Sequence, residues 1–77
     1  MNELHYTMLI EWSDADRAYL VTLPEWADYN GFHNSMPVTH GKTYSEAAQR
    51  GQEVLEMFIE NAIRNGEPLP QPLTYAA

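Results

Sequence analysis

Residues 45–65, SEAAQRGQEVLEMFIENAIRN, constrain this chain more than any other stretch. Ala47, Gly51, Val54, Leu55, Phe58 and Ala62 share one stripe at helical spacing, flanked by Ala48 and Ile59. Glu46, Gln49, Glu53, Glu56, Glu60 and Arg64 lie opposite. A helix of about six turns with one apolar face needs a surface to lay that face on. Gly51 sits on this stripe, where the absent side chain lets the helix lie close to a sheet. Met57 falls among the polar positions, either as a tolerated surface methionine or as an interface contact.

Both helix ends are marked. Thr43-x-x-Glu46 is a capping box, in which the threonine oxygen accepts from the amide near Glu46. The glutamate is expected to reach back to the amide of Thr43, and its charge complements the positive end of the helix dipole. At the other end Asn65-Gly66 is a stop, with Gly66 free to take the left-handed conformation. Pro68, Pro70 and Pro72 then force an extended exit, and Leu73 to Tyr75 could add a short fourth strand.

The surface for the helix comes from the first half of the chain. Leu4, Tyr6, Met8, Ile10 and Trp12 alternate with His5, Thr7 and Glu11, and Leu9 is the exception, so residues 4–12 read as a strand. Residues 13–16, SDAD, form a polar turn, and residues 17–23 read as a second strand ended by Pro24. Tyr19, Val21 and Leu23 point to one face and Ala18, Leu20 and Thr22 to the other, which offers a second apolar face to another subunit. Residues 24–37 read as irregular, with a turn at Asn30-Gly31. Their aromatic groups, Trp26, Tyr29 and Phe32, either fold back on the domain or dock onto a partner, and we take these three as the candidate partner-binding residues. Residues 38–40 form a short third strand stopped by Gly41. The fold class expected is α+β, with three antiparallel strands in a meander, one long helix and a possible fourth strand.

Size and charge narrow the function. A chain of 77 residues is one domain, and a single core of this size seldom supplies more than roughly 3–5 kcal/mol. With no cysteine and no Cys/His cluster, self-association is the remaining staple, so a homo-oligomer is expected. Eleven acidic residues against four basic ones leave −7, a field that repels phosphate backbones and favours basic partners. That argues against direct nucleic-acid binding. The first apolar run is short and followed by acidic residues, so neither a leader nor a spanning helix is expected, and the compartment expected is the cytoplasm.

Catalytic constellations find little support. His5, His33 and His40 lie on different elements, without the spacing that aligns two metal ligands. Glu11, Asp14, Asp16, Glu25 and Asp28 gather near strand ends, where a two-metal hydrolase would place ligands. Turns are rich in Asp in any case, and Arg17 and Lys42 are thin support for holding a nucleic-acid substrate. The glycines at 31, 41, 51 and 66 make no phosphate-cradling loop. No cofactor, metal or catalytic residue is assigned.

Taken in order, Pro24, then Gly41, Thr43, Glu46 and Ala47, then Gly66, Leu69, Pro70 and Pro72 make a pattern that resembles the HicB-like antitoxins over nearly the whole chain. The resemblance implies a partial ribonuclease H-like fold without ribonuclease activity, here as a single HicB-like domain over residues 1–77. It also implies a partner, a small basic HicA-like ribonuclease toxin whose catalytic histidine face such proteins block. The matched positions are structural joints, Pro24, Gly41, Thr43, Glu46, Gly66 and Pro70 among them, so no catalytic residue is carried over. Many family members continue into a DNA-binding domain. The chain ends at Ala77, so that activity is expected to be absent. Residues 29–36 are also longer than the family's usual link. The function expected is masking of a toxin without catalysis. The alternatives are an orphan structural or regulatory oligomer and, further off, a small metal-dependent hydrolase built on Glu11 and its neighbours.

Overall fold

Three antiparallel strands and one helix are arranged in a computed structural model that describes residues 5–27 and 37–74. Strand β1 spans Leu9–Ser13, β2 Ala18–Thr22 and β3 Thr39–Gly41, and they lie side by side in that order. Helix α1, Tyr44–Arg64, follows and packs on the sheet, mainly on β3 and β2. The chain is therefore α+β with β-β-β-α order.

The hairpin register sets Ile10 opposite Val21 and Trp12 opposite Tyr19. Because side chains alternate along a strand, these four share the face turned to α1, and Leu9, Glu11 and Leu20 take the other. Leu9, the break in the alternation, is exposed there. Ala18 and Thr22 on that face are nevertheless buried. On the α1 side the core closes around Leu23, Trp26 and Ala62, with Tyr6, Met8, Val54, Phe58 and Leu69 packed against them.

Some boundaries differ from expectation for a local reason. The first strand starts at Leu9, five residues later than read. Continuing the register would set Thr7 opposite Pro24, which has no amide to give, and there the partner chain turns into a 3-10 helix, Pro24–Trp26. That turn also replaces the first part of the loop read as irregular. The second strand starts at Ala18 because Arg17 closes the hairpin turn with φ 52°. Gly41 does not stop the third strand but ends it as a paired residue, opposite Tyr19.

The helix ends follow the sequence closely. Glu46 N donates to Thr43 Oγ1 at 3.0 Å, and Ala47 N donates to the Thr43 carbonyl at 2.9 Å. The return contact is displaced by one residue. With Thr43 extended, Glu46 Oε1 accepts from the amide of Lys42 at 2.8 Å rather than from Thr43. At the C-terminus Gly66 has φ 68°. Its amide donates to Ile63 O at 3.1 Å and the Glu67 amide to Ala62 O at 2.8 Å, which is the Schellman pattern.

Two glycines set how closely the layers meet. A Cβ on Gly51 would lie 2.8 Å from Met8 Sδ and 2.8 Å from Val21 Cγ1. On Gly41 it would lie 2.7 Å from Ala47 Cα, 2.9 Å from the Glu46 carbonyl carbon and closer still to the Ala47 amide nitrogen. The end of β3 thus runs directly against the first turn of α1.

Candidate functional site

A row of three aromatic rings lies near the hairpin tip. Trp12 on β1 and Tyr19 on β2 are cross-strand partners, with ring centroids 5.0 Å apart and planes at 67°. Tyr44, the first residue of α1, lies 4.2 Å from Tyr19 at 31° and continues the row. The edge arrangement of Trp12 on Tyr19 brings partial charges of opposite sign together. Trp12 is 50% exposed and Tyr44 64% exposed, so two of the three rings face solvent. The Trp12 indole N–H donates to Asp14 Oδ1 at 2.7 Å, which holds the ring against the turn.

The candidate contact residues fare differently. Trp26 is 4% exposed and belongs to the core. Its ring lies 5.3 Å from that of Tyr6 and 5.5 Å from that of Phe58. The 3-10 turn swings the indole inward, so Trp26 does not present an exposed ring. Tyr29 and Phe32 lie outside the described residues. Met57 is exposed, as either reading of it allows.

The described acidic residues near strand ends do not converge on one site. Asp16 is engaged with Ser13, whose hydroxyl donates to Asp16 Oδ2 at 2.9 Å and accepts from the Asp16 amide at 3.2 Å. Asp14 holds Trp12, and Glu25 faces away toward residues 5–8 and the chain after α1. Asp28 and His33 lie outside the described residues. Among the described residues no three His, Cys, Asp or Glu side chains come together as a metal site. No helix among them is long and apolar enough to cross a membrane. His40 is exposed on β3, an outer strand of the sheet, beside a shallow groove lined by Asp16, Ala18, Leu20, Val38 and Thr39.

The affinity of Glu25 for its proton is perturbed. Partial burial pushes its pKa up. Hydrogen bonds from the backbone amides of Leu73, Glu25 itself and Thr7, and from the Thr7 hydroxyl, outweigh this and leave it lowered. Tyr6 is raised, by burial first and by the nearby Glu25 charge second.

Sequence reasoning did not single out the aromatic stack or the role of Glu25. The stack was within reach, because a four-residue turn closing on Ser13 and Ala18 sets Trp12 opposite Tyr19. Glu25 was not, since its partners lie 18 and 48 positions away. No protein-family model, curated protein or solved structure matches the chain.

Proposed function

We propose that this chain is a HicB-like antitoxin module that binds a small basic HicA-like ribonuclease toxin and masks it without catalysis of its own, in the cytoplasm. The observation that carries the reading is an exposed aromatic stack on a chain of net charge −7. Aromatic rings are favoured anchors in interfaces, and a ribonuclease must be basic where it holds RNA. An acidic surface with such anchors competes for that region by shape and by charge. The positions behind the resemblance also occupy joints of the fold. Thr43 and Glu46 cap α1, Gly66 ends it, and the Pro70 carbonyl accepts from Tyr6 Oη at 2.7 Å.

The contact surface assigned is Trp12, Tyr19 and Tyr44, in place of Trp26. The test is co-expression with a short basic protein encoded by an adjacent gene. A complex and restored growth are expected, and both are weakened when Trp12→Ala and Tyr44→Ala are combined. Absence of both complex and rescue with the unaltered chain would overturn the proposal.

A second reading, a homo-oligomer without a toxin, draws on the other sheet face. Leu9 is exposed there beside the half-buried Leu20. A native mass of the isolated protein separates the two. An oligomer weakened by Leu9→Lys, with no adjacent toxin gene, favours this reading.

A further inference from the structure

The chain beyond α1 is held in an unusual way. Leu69 packs against the core cluster of Leu23, Trp26 and Ala62. The Pro70 carbonyl accepts from Tyr6, and the Leu73 amide donates to Glu25 Oε2 at 2.9 Å. The same carboxylate accepts from the Thr7 amide at 3.0 and 3.1 Å. The Thr7 hydroxyl lies 2.9 Å from Glu25 Oε2 and 3.3 Å from the Leu73 carbonyl, and its single proton serves one of them at a time. One carboxylate therefore joins three stretches of chain: residues 5–8, the 3-10 turn and the segment after the helix.

Pro68, Pro70 and Pro72 fall at alternate positions, so in an extended chain they remove every donor along one edge of that stretch. The possible fourth strand over Leu73 to Tyr75 is not formed at Leu73 and Thr74, and Tyr75 lies outside the described residues. Side chains take over the attachment, and the acceptor they share can be neutralised by a proton.

We infer that residues 69–74 are a detachable strap over the end of the core, and that the Glu25 carboxylate is its latch. With the latch ionised, Leu69 stays seated beside Tyr6 and Trp26. With it neutralised, the Leu73 amide and the Thr7 amide lose their charged acceptor, and the strap leaves its seat while the sheet and α1 keep their own hydrogen bonds. Titratable groups near this end are His5 and Tyr6 before β1 and Glu67 after α1, and Tyr6 is electrostatically coupled to Glu25. Glu25 is held below its ordinary value, so its contribution is complete above the ordinary glutamate range. It is lost as pH falls through the lowered folded value.

The test is an NMR titration of the full chain, following the Glu25 carboxyl carbon, the Thr7 and Leu73 amides and the order of residues 69–74. The three signals are expected to share one midpoint below the ordinary glutamate value. Order in 69–74 is lost at that midpoint while the α1 amides stay in place. In Glu25→Gln, which cannot ionise, the acid step in the strap should vanish. In Glu25→Ala the strap should be mobile at neutral pH. Separate midpoints, or an unchanged acid step in Glu25→Gln, would overturn the inference, and so would an ordered strap in folded Glu25→Ala.

Discussion

Gly41 and Gly51 both lack a side chain where α1 meets the sheet, yet their neighbours differ in kind. At Gly41 a methyl group would meet backbone of Glu46 and Ala47, which cannot move without shifting the start of the helix. At Gly51 it would meet the flexible end of Met8 and one methyl of Val21. Gly41→Ala is therefore expected to cost about 3 kcal/mol and Gly51→Ala about 1 kcal/mol, within the usual range for overpacking. Urea midpoints of the two variants check the order, and equal losses would contradict it. Arg17 gives the opposite case. It holds φ 52° in the hairpin turn, a conformation that costs a side chain roughly 1 kcal/mol. Arg17→Gly should raise the thermal midpoint slightly.

At the scale of elements, α1 is defined by its two ends. Removing the Thr43 hydroxyl leaves the Glu46 amide without its acceptor, so Thr43→Ala should cost about 1 kcal/mol. At Gly66 no atom lies within 4 Å of an added Cβ, so Gly66→Ala should cost only its conformational strain, about 1 kcal/mol. Denaturant unfolding of the double variant should give the sum, because the two sites lie at opposite ends of the helix. These ends were legible in the sequence because caps act over four or five residues. The hairpin and the helix stripe were legible for the same reason, as periodicity is a local signal. What the pattern could not supply was where β1 begins. Residues 5–8 keep the period of two, but their partner chain turns away at Pro24, and the Thr7 amide goes to Glu25 instead.

For the whole molecule, the two tryptophans have opposite parts. Trp26 joins Tyr6, Phe58 and Leu23 in the core, so Trp26→Ala should cost about 3–5 kcal/mol. Trp12 is half exposed, and Trp12→Ala should change stability far less while weakening partner binding. Tryptophan alone in a loop does not tell which of these it is. That depends on whether the chain after Pro24 folds back, a long-range outcome that local pattern does not encode. The aromatic stack likewise needs the register, the sheet order and the start of α1 together before Tyr44 comes against Tyr19. The functional proposal rests on that assembled surface and on the acidity of the chain. Its most direct test is the ribonuclease activity of any small basic protein encoded by an adjacent gene as this chain is added in increasing amounts. Activity is expected to fall to zero at a fixed stoichiometry, and Trp12→Ala with Tyr44→Ala to shift the inhibition to higher concentration. Full activity in the presence of excess folded chain would contradict it.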